Sequence, residues 1–457
     1  MTLKSIIYAV LLGATSIVAT PALAAVDPES AFVFNSFSFL VNGLVVMFMA
    51  CGFAMLEAGL VRTKNTATIC LKNIALYSIA GLMFYLIGYS LMYTDVDGGF
   101  IGSLSFLYNP SEAELALINA DEASAEMVAA VTGNGYASQS DWFFQMVFVA
   151  TAASIVSGTV AERIKLWPFL IFTIVLTAVI YPIIGSWEWG GGWLNSEWYV
   201  ATFGAEFVDF AGSTLVHSTG GWAALAGAIV LGARKGKFGP DGEVRPMPGS
   251  NLPLATLGTF ILWFGWFGFN GGSQLALGSA LDAAAMSIVF VNTNLAAAGG
   301  VVAAMLVTQL RFGKVDLTMA LNGAIAGLVS ITAGPDLQNH LTSIFVGAVG
   351  GVIVCFAVPL LDKLKIDDVV GAISAHLAAG IWGTLAVGIF GAGTILGQLV
   401  GIVSVGVFVF VTSLIVWIVL KATVGIRCSE EDEVNGLDKA ELGMEAYPEF
   451  GRGSQTI

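Results

Sequence analysis

Asp209-Phe-Ala-Gly-Ser-Thr-Leu-Val-His217 and Asp368-Val-Val-Gly-Ala-Ile-Ser-Ala-His376 both read D-x-x-G-x-x-x-x-H. A Gly stands four residues beyond each His (Gly221, Gly380), and a Trp soon follows (Trp222, Trp382). Each copy opens an apolar stretch. Eleven such stretches can be read, near 37–60, 74–93, 142–161, 168–187, 211–232, 253–276, 285–308, 318–333, 342–361, 370–390 and 397–420. Most approach the roughly 20 apolar residues that a helix needs to cross a bilayer. The two motifs open the fifth and tenth stretches, so matching elements stand five spans apart. An odd number of spans per half gives the halves opposite orientation, which is an inverted repeat. The expected fold is therefore an all-α integral membrane protein of eleven transmembrane helices, two five-helix halves plus a final helix.

Composition supports this class and excludes others. Of 457 residues, 56% are hydrophobic and 11% charged, and the mean hydropathy is +0.84; a soluble domain carries about 25% charged residues. Little is left over for a second soluble domain. The formal charge of −14 argues against nucleic acid, whose phosphates call for a Lys/Arg excess. Cys51, Cys70, Cys355 and Cys428 form no CxxC pair, so disulfide-scaffold and zinc-enzyme readings fall away. Neither GxxxxGK[ST] nor HExxH occurs, which removes the apparatus of ATP-driven pumps and metalloproteases. No cofactor or metal is called for, and the chain is not expected to be an enzyme.

Residues 1–25 read as a cleaved signal peptide: Lys4, an apolar run from Ile6 to Thr20, then Pro21-Ala22-Leu23-Ala24. Cleavage after Ala24 or Ala25 would place the mature amino terminus outside the cytoplasm. A transmembrane domain over 33–424 and a cytoplasmic tail over 425–457 follow. With the amino end out, the segments after stretches one, three, five, seven and nine, and the tail, are cytoplasmic. They hold 17 of the 18 Lys and Arg residues, Lys4 being the other. The outer loops then hold none, as the positive-inside rule requires. They are acidic instead (Glu112, Glu114, Asp121, Glu122, Glu126, Glu188, Glu197, Glu206); either a negative mouth that concentrates a cation or the plain consequence of loops without Lys and Arg accounts for this. The expected location is a bacterial inner membrane, with the carboxyl terminus cytoplasmic.

Ionisable groups inside a membrane mark function by default. Eight residues at about 1.5 Å each carry His217 and His376 roughly 12 Å inward from opposite faces, to one depth near the midplane. In an apolar tunnel, such a pair can hydrogen-bond a small neutral molecule or relay a proton through its ring nitrogens. Asp209 and Asp368 suit helix-start caps that aim each His, and Asp209 also suits electrostatic stabilisation of an outer cation. His340 is expected on the surface. For Glu57, within the first stretch, pairing with Arg62 and a feature particular to this chain both stand. Near the outer side, Trp189-Gly-Gly-Gly, Phe144-x-x-x-Phe148 and Trp266-Phe-Gly-Phe269-Asn-Gly-Gly-Ser273 offer aromatic faces for a cation, with Ser273 as a hydrogen-bond acceptor.

The ordered set of Phe144-x-x-x-Phe148, Ala161-Glu162-Arg163, Trp189-Gly-Gly-Gly, the Asp209–His217 motif, Trp266 to Ser273 and the Asp368–His376 motif resembles the Amt/Mep/Rh ammonium transporter family, most of all its bacterial Amt branch, over residues 33 to 450. The resemblance implies a homotrimer with a pore in each subunit. It implies an outer ammonium recruitment site at Trp189, Ser273 and Phe148 with Asp209 assisting, a gate at Phe148 and Phe269, and a pore histidine pair at His217 and His376. It also implies a PII-type signalling protein as cytoplasmic partner. The tail resembles the family's regulatory tail, with Leu442 where a His is common. Two other readings stand beside ammonium transport: an ammonium sensor that passes little, and a neutral-ammonia gas channel. A sodium-coupled carrier is more distant, since no stretch is broken by a midmembrane Pro.

Overall fold

The computed structural model describes residues 26–448; the expected signal peptide lies outside them, as do the last residues of the tail. Among the described residues the chain is helical throughout, with two isolated backbone bridges (Ile164 with Arg427, Phe238 with Val244) and no strand. Ten helices are long and apolar enough to cross a membrane: α1 (Pro28–Leu60), α2 (Thr63–Tyr93), α3 (Ser138–Thr159), α4 (Leu166–Ser186), α5 (Ser213–Leu231), α6 (Leu252–Gly272), α7 (Ala280–Phe312), α9 (His340–Lys363), α10 (Ile373–Phe390) and α11 (Ile395–Thr423). The eighth expected span is α8 (Leu317–Ile331), apolar but only 15 residues long, or about 22 Å.

Side-chain caps set where several helices begin. Asp27 accepts the Ser30 N–H at 3.0 Å ahead of Pro28, Asn251 accepts that of Leu254 at 3.0 Å, and Asp316 accepts that of Thr318 at 2.8 Å. Each satisfies an N–H that the first helical turn leaves without a partner. Many large apolar side chains face outward, among them Phe37, Leu44, Leu82, Val403 and Val407, as a helix bundle solvated by lipid requires.

Helices α7, α8 and α9 meet through small residues, the usual way for helices to associate where lipid removes the hydrophobic drive. A Cβ on Gly299 of α7 would stand 2.6 Å from the Ile344 carbonyl of α9, and one on Gly327 of α8 2.5 Å from the Ala296 carbonyl of α7. The obstacle is backbone in both cases. Gly327→Leu is therefore expected to lower the melting temperature in detergent, since overpacking costs about 1–3 kcal/mol; an unchanged melting curve would show that these helices can separate freely.

Loops that follow alternate helices gather at one end. Arg62 after α1 meets Glu162 after α3, Arg163 meets the carbonyl of Gly232 after α5, and Lys237 meets Asp362 near the end of α9. The tail joins them: Arg427 donates to the carbonyls of Leu231 and Ala233 and to Glu433, while the Asp438 carboxylate accepts the Ala67 and Thr68 N–H groups at the start of α2. At the opposite end Phe210 pairs with Ala333 and Gly98 with Gly191.

Three expectations for charged residues need correction. Arg62 pairs with Glu162 (2.5 Å), and Glu57 faces Ser157 and Asn73 instead. Lys72, grouped with the basic flank after α1, is buried within α2, where its Nζ donates to the Ser157 carbonyl at 2.8 Å and lies 4.9 Å from the Phe169 ring centre. Glu114 and Glu188 are buried as well: Glu114 accepts the Ser138 N–H and Glu188 that of Asp209, so neither contributes to an open acidic mouth.

Candidate functional site

The two D-x-x-G-x-x-x-x-H copies fold alike. Gly212 (φ +102°) and Gly371 (φ +82°) take left-handed backbone that side chains rarely tolerate, and each lets the chain double back toward its Asp. The Asp209 Oδ2 then accepts the N–H groups of Thr214 and Leu215, both at 2.8 Å. Asp368 Oδ2 accepts those at the same offsets, Ile373 at 2.9 Å and Ser374 at 3.4 Å, and its Oδ1 accepts the Thr159 hydroxyl at 2.8 Å. Both helices open with a π turn, Ser213–Ser218 and Ile373–Ala378, a conformation frequent at functional sites. Each π turn carries its His. Burial raises the Asp209 and Asp368 carboxyls to about 6 even though backbone N–H groups lower the first, and the Thr159 hydroxyl with backbone N–H groups the second.

The histidines meet. His217 Nδ1 and His376 Nδ1 lie 3.2 Å apart, the rings 5.2 Å between centres, with His217 fully buried and His376 nearly so. Aromatic rings continue the row: His217 stacks on Trp266 (4.9 Å) and Phe269 (5.3 Å), and Phe269 stacks on Phe148 (4.0 Å, 28° between planes). Trp266 is held by its Nε1–H, which donates to Thr332 at 2.8 Å. Trp189 stands edge-on to Phe148 (6.1 Å, 89°) and packs against Gly212, where an added Cβ would lie 3.0 Å from the indole. Its Nε1–H donates to the Asp209 carbonyl at 3.1 Å. Ser273, one turn beyond Phe269, donates to the Phe269 carbonyl at 2.9 Å and remains partly exposed.

The Ammonium Transporter Family profile matches residues 37–447. The chain belongs to the ammonium transporter family. It is 42% identical to the ammonium transporter Amt2 of Archaeoglobus fulgidus over 434 residues, covering 90% of this chain and 87% of that one. Among solved structures, the Sensor Amt Protein is similar at 34% identity and a TM-score of 0.80, covering 90% of this chain and 99% of its own. Mep2 of Candida albicans is similar at 29% identity and a TM-score of 0.74, with 92% of each chain covered. As a member of a family of multi-pass membrane transporters, the protein acts on ammonium in a lipid bilayer and is not an enzyme.

The structure brings Phe148, Phe269, His217 and His376 into one contiguous row, with Trp189 and Asp209 at one end of it. His340 stands apart, exposed, its Nδ1 2.7 Å from Asn292 Oδ1. Asp209 is wholly buried, and its Oδ1 has no partner. Glu188, treated above as a loop acid, is the neighbour that sequence reading missed: it accepts the Asp209 N–H at 2.8 Å, and burial together with the Asp209 charge pushes its carboxyl well above the usual range. The signal was present, since Glu188 immediately precedes Trp189.

Proposed function

We propose that this transporter recruits ammonium at Trp189, Ser273 and Phe148 on the outer side, removes its proton with Asp209 assisting, and conducts ammonia through an apolar pore past the Phe148/Phe269 gate and the His217/His376 pair. The contiguous row from Phe148 to His376, ending in two imidazoles 3.2 Å apart, is the observation that carries this reading. A stacked aromatic pair admits a small neutral molecule and opposes a hydrated ion, and the imidazoles beyond it can donate to or accept from ammonia. Potassium cannot shed its charge, and the row offers no ring of carbonyls to replace its water.

The architecture belongs to the same proposal. Counting α8 as a crossing gives eleven spans, and the matched folding of the two D-x-x-G motifs supports an inverted repeat with a transmembrane domain over 33–424. The end that gathers Arg62, Arg163, Arg234, Lys237 and the tail residues Arg427, Glu433 and Asp438 is then cytoplasmic, with the tail over 425–457 read as a cytoplasmic segment, and the amino end of the chain, cleaved after its signal peptide, is outside a bacterial inner membrane. The family resemblance supports a homotrimer, with a PII-type protein docking on the cytoplasmic face. Similarity to the Sensor Amt Protein favours one second reading, a sensor that binds ammonium and passes little.

Current on a solid-supported membrane carrying proteoliposomes of the full chain tests the proposal. A sustained current on an ammonium jump, absent on a potassium jump, is the expected result. Lumen alkalinisation by ammonia without current would replace it with a gas channel. Ammonium binding with neither signal would replace it with a sensor.

A further inference from the structure

On the basic side of the histidine pair, Phe53, Leu56, Glu57, Gly158, Asn322 and His376 line a small cavity with room for about one water molecule. It adjoins a vestibule of about 750 Å³, which shares Asn322 and Val370 and is lined by Arg234, Lys237 and Asp368. Glu57 is 1% exposed. One carboxylate oxygen, Oε2, accepts from the Ser157 hydroxyl at 2.7 Å and the Asn73 amide at 3.3 Å, while Oε1 has no partner. A carboxylate kept in a membrane interior with half its acceptor capacity unused carries a cost that packing alone does not repay. The nearest cation does not neutralise it by contact, because the Lys72 ammonium donates to the Ser157 carbonyl. Lys72 and Cys70 from α2 and His376 from α10 are the titratable groups facing Glu57; α3 and α8 present only Ser154, Ser157 and Asn322.

We propose that Glu57 is a proton-holding site on the exit from the histidine pair. This rests on the transport reading above. An ammonium N–H bond breaks, the proton reaches the imidazole pair, and ammonia is left to move on. The His376 N–H then gives its proton to a water in the cavity, which passes one of its own to Glu57 Oε1. The carboxyl O–H so formed later breaks as the proton leaves to vestibule water or to the emerging ammonia. Every step moves a proton between lone pairs, so no oxidant, reductant or co-reactant is needed.

The test combines two readouts on reconstituted full-length protein. Infrared difference spectra across a pH titration are expected to show a protonated-carboxyl C=O band that Glu57→Gln removes and whose midpoint moves in His376→Ala. Gln keeps the shape and the Ser157 and Asn73 neighbours but cannot hold the proton. Ammonium-evoked current in Glu57→Gln is expected to fall at least about tenfold, general acid–base groups contributing typically ~10²–10⁴, and Glu57→Asp is expected to restore part of it. No titrating band attributable to Glu57, or a Glu57→Gln current within about twofold of wild type, overturns the proposal. A wild-type chain that titrates at Glu57 yet carries no ammonium current would sink the transport reading and leave the proton site standing. Should Glu57→Gln fail to elute as folded protein, Glu57→Asp with its displaced carboxyl supplies the comparison, and an unaltered band and current there also overturn the proposal.

Discussion

Asp209→Ala is expected to abolish the ammonium-evoked current and to destabilise the protein by roughly 2–6 kcal/mol. The stability figure comes from the two buried N–H groups, Thr214 and Leu215, that Asp209 Oδ2 satisfies; each left unpaired costs about 1–3 kcal/mol. These N–H groups form the first turn of α5, so losing the cap also frees the π turn that aims His217. Asp209→Asn separates the two roles, because an amide oxygen can still accept but carries no charge. It is expected to fold with a smaller loss and still to lose most of the current, since stabilising developing charge is commonly worth ~10²–10³ in rate. A wild-type current in Asp209→Asn would leave Asp209 as a cap alone. The pH dependence has a defined sign. Burial raises this carboxyl from 3.8 to about 6 in the folded chain, so the folded state holds the proton more tightly than the unfolded one. Its contribution is most favourable below pH 3.8, weakens up to about 6 by about 3 kcal/mol, and is constant above. Asp209→Asn should remove that part of the slope from melting curves recorded between pH 4 and 6.

What the sequence makes legible follows the range of the forces involved. Helix positions are read from runs of apolar residues because lipid acts on every residue of a span alike, and the stretch read at 370–390 is α10 at Ile373–Phe390. The stretch read at 318–333 is likewise α8 at Leu317–Ile331, found by its apolar run although it is only 15 residues long. The D-x-x-G-x-x-x-x-H motifs are legible because cap, left-handed Gly and His all lie within nine residues. Pairings across the fold are not. Glu57 stands five residues from Arg62, yet its partner Ser157 comes from α3, and Arg62 is taken by Glu162, whose own backbone (φ +68°) is left-handed. Lys72 shows the same limit: a cation near a span's end looks like a flank, and only the Ser157 carbonyl and the Phe169 ring show why it can lie inside. The contact of Phe148 with Phe269 joins α3 to α6, and resemblance suggests it where spacing does not; that of His217 with His376 joins α5 to α10, and there the repeat and the helix rise already bring both rings to one depth.

Asp367→Ala is expected to give the largest loss of stability at the basic end, about 3–5 kcal/mol, the usual consequence of removing one partner from a buried ion pair. The Asp367 carboxylate accepts from Arg234 three times, through Nε at 2.9 Å, Nη2 at 3.0 Å and the backbone N–H at 2.8 Å, and its carbonyl accepts from Arg163 at 2.8 Å. Without it, Arg234 keeps only Glu162 at 3.4 Å, which Arg62 already holds at 2.5 Å. Burial alone would raise the Asp367 carboxyl, but Arg163 and Arg234 outweigh it and hold the group well below the usual carboxylate range. Its stabilisation is therefore fully present above the ordinary value of 3.8 and is lost as pH falls below that, the opposite sense to Asp209. The effect should reach the histidines, because the next residue, Asp368, caps the turn that carries His376; the ammonium current should fall together with stability. A double variant decides whether the charge or the shape matters. If Asp367→Ala is harmful because it strands Arg234, then adding Arg234→Met removes the stranded charge, and the pair should melt higher than Asp367→Ala alone. If the double variant melts lower still, the network acts through shape and hydrogen bonding around Asp368 rather than through charge.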